Sequence, residues 1–312
     1  MYRAELYDSS KKADWNAFVD RAKNSIFLFK RDYMEYHSDR FSDYSLMIYR
    51  KDKLFALLPA NRVEDTVYSH QGLTFGGLIL DSKAMVADVI DTFSYMNEFF
   101  KSEGIKKVVY KTLPYIYANL PSEEDRYALF RTTNAQLVAR NIASVIYQDN
   151  KIKFIESRKS GIRKAKNNNV EVVKSDDYAA FWDILNENLR NKYGAKPVHE
   201  LSEILLLKER FPDNIQLYLA TKDDVAIGGT VLYITNRVAH TQYISASETG
   251  KELGALDILF DYIINTEYVN YPIFDFGTSN EDNGHVLNEA LIFQKQGFGG
   301  RGVIYDIYEY TL

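Results

Sequence analysis

The sequence predicts an α/β fold of the mixed-sheet, α+β kind, present twice in one chain. Three observations lead there. The chain has 312 residues, more than the roughly 100–200 of a usual single domain. Two strand–turn–strand signals recur, at 44–60 and at 215–234, each around a short polar turn. After each comes the same succession of strand, amphipathic helix, short strand and closing strand, at a nearly constant spacing.

Taken in order, helical stretches are expected at about 11–40. The first hairpin, YSLMIYRKDKLFALLPA, turns at Lys51-Asp52-Lys53. The segment GLTFGGLIL at 72–80 reads as a close-packed turn or a cleft wall, with Gly72, Phe75, Gly76 and Gly77. Residues 85–104 form a helix: Val86, Val89, Ile90, Phe93, Met96 and Phe100 fall at helical spacing, and Gly104 stops it. Strands are expected at 105–112 and 136–148. A basic stretch then follows, helical from Glu156 to Lys166. In the second half, helices at 178–210 precede the hairpin IQLYLATKDDVAIGGTVLYI, which turns at Lys222-Asp223-Asp224. A strand at 238–247, a helix at 255–268, a strand at 271–278, a helix at 286–296 and a strand at 301–312 complete the repeat. The boundary falls near Asn150, giving domains 1–150 and 151–312.

A hydrophobic share of 46% and a charged share of 26% are those of an ordinary globular chain. The formal net charge of −5 opposes generic nucleic-acid affinity, which needs a basic surface. With no cysteine there is no disulfide framework, thiol nucleophile or thiolate metal site. The histidines, at 37, 70, 199, 240 and 285, lack metal-ligand spacing, so no metal is expected. No P-loop and no Gly-x-Ser-x-Gly elbow occurs. The N-terminus has no apolar core of signal-peptide length, and no apolar run reaches the ~18 residues of a membrane span. A cytoplasmic chain without integral membrane association is the expectation.

Four local features point to chemistry. Asp275 interrupts an apolar strand, with Phe274 and Phe276 directed to the opposite face. Such a carboxylate is either satisfied by backbone donors or a base whose pKa burial raises. Gly250 and Gly254 stand where a loop opens a helix near Leu253, a position suited to phosphate or to an ordinary turn. Lys295 near a helix end suits either an anionic ligand or the helix dipole, and Glu289 either a second base or a solvent-facing carboxylate.

The element order resembles the GNAT acyltransferase fold. Its duplication resembles the FemAB-like family, which includes peptidoglycan-bridge aminoacyltransferases and relatives that act with acyl-CoA. The likeness lies in GLTFGGLIL, in the basic segment RKSGIRKAKNNNVEV at 158–172, and in FDFGTSNEDNGHVLNEALIFQKQGFGG at 274–300. The last resembles the family's Asp-Phe-Gly, polar loop, helix with Phe-x-Lys, and Gly-rich turn. The resemblance implies two tandem GNAT-like domains, the second binding the donor and carrying catalysis. It implies an N-acyltransferase moving an acyl group, acetyl first of all, from acetyl-CoA or another acyl-CoA. The acceptor is an amine of a sugar, nucleotide-sugar or bacterial cell-envelope precursor lying between the domains. A transferase drawing on aminoacyl-tRNA for peptidoglycan bridges, and a non-catalytic GNAT-like binding protein, are the alternatives. Asp275 and Glu289 are then the catalytic candidates. Ser245, Ser247, Gly250, Gly254 and Ala255 serve the donor, and Arg158, Arg163, Tyr243 and Lys295 the acceptor. Two departures stand out. SETGKELGAL at 247–256 keeps the glycines of the GNAT pyrophosphate signature Arg/Gln-x-x-Gly-x-Gly/Ala but not its Arg/Gln spacing. No helical hairpin arm of the tRNA-dependent members is read.

Overall fold

The structure is a computed structural model that describes residues 2–312, with all their side chains except that of Tyr193. The chain begins with β1 (Tyr2–Leu6), α1 (Lys12–Arg21) and the single turn α2 (Arg31–Met34). The hairpin β2 (Leu46–Arg50) and β3 (Lys53–Leu58) follows, then β4 (Asn61–Val63), β5 (Thr66–Tyr68) and β6 (Ile79–Leu80). Next come α3 (Val86–Ser102), β7 (Lys107–Lys111), α4 (Glu124–Thr132) and β8 (Gln136–Tyr147). The second half opens with α5 (Glu156–Asn167), β9 (Glu171–Ser175), α6 (Tyr178–Tyr193) and α7 (Leu201–Arg210). The second hairpin, β10 (Ile215–Lys222) and β11 (Val225–Ile234), leads to β12 (Val238–Ala246), α8 (Glu248–Leu253), α9 (Ala255–Tyr262) and β13 (Ile273–Thr278). Two short strands, β14 (Asn280–Glu281) and β15 (Val286–Leu287), precede α10 (Glu289–Gly297) and β16 (Arg301–Thr311).

The repeat is visible down to its turns. Both hairpins close through two residues in the left-handed region, Lys51 and Asp52 at φ 48° and 61°, Asp223 and Asp224 at φ 51° and 62°. Such turns match the twist of the flanking strands. Each ladder also carries a register shift just before the turn, between Ile48 and Tyr49 and between Ala220 and Thr221.

Two compact units emerge, and their bounds differ from a simple cut near Asn150. One takes the chain up to Asn141 together with Asn280–Val286 and Ile304–Leu312; the other takes Ile142–Ser279 and Leu287–Val303. The cause is strand pairing. The end of β8 pairs antiparallel with β13, Tyr147 opposite Ile273. The end of β16 pairs antiparallel with β7, Thr311 opposite Lys107. Each closing strand thus completes a ladder in the other half of the sequence, because a strand is stabilised by whichever open edge it meets.

In the first unit, β1-β2-β3-β6 form one sheet and β4-β5-β7-β16 run in a second. The apolar stripe of α3 packs here: Val89, Phe93, Met96 and Phe100 are fully buried among Leu46, Ile48, Leu58, Val108 and Tyr110. In the second unit the order is β8-β13-β12-β11-β10-β9. Its core joins Ile258, Leu259, Ile263 and Ile264 of the helical segment to Tyr218, Leu232, Phe274 and Phe276 of the sheet.

Three expected elements differ. The helix placed at 255–268 begins earlier, at Glu248, breaks at Gly254, and ends in a wider π turn over Ile263–Glu267. The helix placed at 286–296 starts at Glu289, because Asn288 caps it by accepting the Leu291 N–H at 3.1 Å while Val286 and Leu287 remain extended. Of the helical stretches at 11–40, α1 ends at Arg21 and only single turns follow. There the Asn24 side chain turns to the strand backbone, donating to Leu78 O at 2.8 Å and accepting from Leu80 N at 2.7 Å.

Candidate functional site

The second unit holds a parallel strand pair that opens. β12 and β13 pair only at Val238–Ile273, Ala239–Phe274 and His240–Asp275. Beyond that point β12 stays with β11, Ser245 opposite Gly229, while β13 follows β8. Beside the opening lies a cavity of about 340 Å³. Ile244, Ser245 and Ala246 line it from β12 and Phe276 from β13. One face of α6 supplies Leu185, Asn188, Leu189 and Lys192 at helical spacing. Lys251, Leu256 and Phe260 come from α8 and α9, and Leu291, Gln294, Lys295 and Phe298 from α10 and the turn after it.

Asp275 lies behind this wall, fully buried. One carboxylate oxygen accepts the Gly277 N–H at 2.7 Å, and the other meets His240 Nδ1 at 2.9 Å. His240 and Asp275 are register partners on neighbouring strands, so their side chains share a face. Lys295, also buried, donates to Gly277 O at 3.1 Å and Thr278 O at 2.7 Å. Burial pushes its ammonium down to about 8, against the opposing pull of the Asp275 charge. His240, Asp275 and Lys295 therefore pin the end of β13 where the strands part, and of the three only Lys295 lines the cavity.

The other expected residues fall into separate places. Ser245 lines the cavity, and its hydroxyl accepts from the Asn188 amide at 2.8 Å. Ser247 caps α8, accepting from Gly250 N at 3.1 Å. The close approach that the two glycines permit is to the chain's own backbone. A Cβ on Gly250 would lie 1.9 Å from Ile227 O, and one on Gly254, at φ +77°, 2.6 Å from Gly161 O. Ala255 is buried at the start of α9. Glu289 is exposed in the first turn of α10, where the helix dipole favours a carboxylate. Arg158 pairs with Asp257 at 2.7 Å and lies over the Phe298 ring; Arg163 pairs with Glu156 at 2.6 Å on the surface. Tyr243 meets His199 through its hydroxyl, 2.5 Å from Nδ1, with its ring edge against Trp182.

Sequence reasoning passed over Asn188, Lys192 and Lys251. Lys251 lies between the two glycines already singled out, and donates to Asn188 Oδ1 at 3.0 Å. The signal for the α6 face was the spacing of Leu185, Asn188, Leu189 and Lys192, legible only once the helix was known to border a cavity. Among the described residues no group of His, Cys, Asp and Glu could hold a metal ion, and no helix is long and apolar enough to cross a membrane.

No protein-family model matches the sequence, and no curated protein matches it. Solved structures do. The chain is similar to FemX with a TM-score of 0.69, 10% identity, and 99% and 97% of the two chains covered. It is similar to L-PGS from Bacillus licheniformis with a TM-score of 0.63, 11% identity, and coverage of 98% and 92%. It is also similar to a tandem GNAT protein from the clavulanic acid biosynthesis pathway, with a TM-score of 0.50, 10% identity, and coverage of 100% and 98%. The chain thus has the tandem GNAT-type, FemAB-like fold that its motifs resemble.

Proposed function

We propose that this chain is an acyltransferase whose donor, an acyl-CoA, binds the cavity of the second unit and whose acceptor is an amine. A sugar, nucleotide-sugar or cell-envelope precursor is the acceptor class we favour. The observation that carries the reading is Lys295: a buried ammonium at the wall of a cavity beside parting parallel strands. Two of its three donors go to Gly277 O and Thr278 O. The third suits a carbonyl oxygen that gains negative charge as the amine attacks. Asp275 acts from behind. It holds the Gly277 N–H and its charge pulls the Lys295 pKa up against burial, so we assign it a positioning role rather than that of proton acceptor. Lys192 and Lys251 suit the phosphates of the co-substrate, and the apolar lining suits its thioester arm. The acceptor amine must be neutral to attack, and Glu289 is the remaining candidate to take its proton.

Titration calorimetry with acyl-CoA tests this. Micromolar binding, weakened about tenfold in Lys251→Glu by loss of a phosphate contact, together with amine acylation, supports the reading. Absence of binding overturns it. A second reading, an aminoacyl-tRNA donor, draws on the exposed cations Lys159, Arg163, Lys164 and Lys166 of α5. Strongly salt-dependent tRNA retention would favour it.

A further inference from the structure

We infer that the group this cavity takes is an apolar acyl chain of several carbons on an anionic carrier, rather than acetyl or an aminoacyl group bearing an ammonium. The inference rests on the reading of the cavity as the donor site and names the class of donor.

Size is the first ground. A dry protein cavity of about 150 Å³ takes a six-carbon ring. This one measures about 340 Å³, room for about fourteen carbons on the same scale. An acetyl group would leave most of this apolar lining in contact with water, forgoing about 25 cal/mol for each Å² it fails to cover.

The lining is the second ground. Leu185, Leu189, Ile244, Leu256 and Leu291 form the walls. Phe260, Phe276 and Phe298 close together, with ring centroids 4.9 Å apart for the first two and 5.6 Å for the last two. They belong to the fully packed core, so they form a fixed floor. A floor of phenyl rings accepts methylene and methyl groups and offers no hydrogen bond to a polar terminus.

Charge is the third ground. Lys192, Lys251 and Lys295 line the cavity, and none of the described lining residues carries a carboxylate. Glu248, which pairs with Lys251 at 2.6 Å, is mostly exposed outside it. Asp275 is turned to His240 and Gly277. Asn188 and Ser245 bond to each other. An aminoacyl ammonium entering here would lose its hydration and meet like charges, with no carboxylate among the lining residues to pair with it. An anionic carrier head meets the opposite situation at the lysines.

The test uses the full chain and simple probes that do not need the carrier: acetate, hexanoate, octanoate, decanoate and decylammonium, followed by calorimetry. Decanoate is expected to bind, with affinity rising about fourfold for each added methylene along the series. Decylammonium should bind at least tenfold more weakly than decanoate. Leu189→Trp, which fills the cavity from α6, should abolish the dependence on chain length; Leu291→Trp does the same from α10 if the first variant does not fold. Equal affinity along the series, equal binding of decylammonium, or undiminished decanoate binding in a folded Leu189→Trp protein overturns the inference. Decanoate binding in a protein that neither binds nor turns over decanoyl-CoA would sink the acyl-CoA reading and leave the apolar-chain site standing.

Discussion

The two units treat a lysine at the end of a parallel strand pair in different ways. In the first, β5 pairs parallel with β7, and the chain then folds across the end of that pair. Ser69 N donates to Val109 O at 2.9 Å, and Leu78 N to the Tyr110 hydroxyl at 2.7 Å. Lys111 donates to the carbonyls of His70, Gln71 and Leu73 at 3.0, 3.3 and 2.6 Å. All three donors are thereby used. Lys111 as a whole is half-buried, and burial pushes its ammonium down to about 8. In the second unit the corresponding pair opens onto a cavity, and Lys295 spends two donors on carbonyls. One ammonium is a closed structural clamp; the other keeps a donor at a cavity wall. A lowered lysine pKa therefore does not by itself mark a site, since both residues have it.

Variants can break or sharpen this contrast. The largest effect should come from Gly76→Val in the loop that closes the first unit. A Cβ there would lie 2.1 Å from Ser69 O, and we expect a loss of about 3 kcal/mol or more in denaturant unfolding. A loss under about 1 kcal/mol would show that the loop is not held as described. Next are the two lysines. Lys295→Met should lower kcat about 100-fold with donor affinity nearly unchanged, because one donor to a developing oxyanion is removed. Lys111→Met should leave kcat alone and cost about 2 kcal/mol of stability, since three carbonyls lose their partner. Exchange of these two outcomes would invert the assignment.

A pH profile reads a smaller effect. If Lys295 works as the ammonium, kcat/KM falls as pH rises through about 8. The Asp275 charge raises that pKa, so Asp275→Asn should move the alkaline limb to lower pH. A limb that stays in place would remove Asp275 from its positioning role. The smallest effect is expected for Glu289→Gln. As an exposed carboxylate in the first turn of α10 it should contribute no more than about 0.5 kcal/mol to stability. That small effect concerns stability alone; turnover should fall more than about tenfold if Glu289 takes the amine's proton, and unchanged turnover removes it from that role.

By itself the sequence determined the order of elements, the duplication, both hairpins and the main amphipathic helix. These follow from local periodicity and turn chemistry, as in Val89-Phe93-Met96-Phe100 and the paired left-handed turns. It also pointed to Asp275 as the odd residue in an apolar strand and to Lys295 as a cation near a helix end. Tertiary structure decided where each stands. Strand partners far apart in sequence placed the ends of β8 and β16 with the opposite half, which no local pattern encodes. Burial took Asp275 out of reach and gave its oxygens to His240 and Gly277. Backbone packing against Ile227 and Gly161 accounted for Gly250 and Gly254. The cavity itself exists only because β12 and β13 part after three residue pairs and α6 covers the opening with Leu185, Asn188, Leu189 and Lys192. Periodicity is a property of neighbours along the chain, whereas a cavity is a property of neighbours in space.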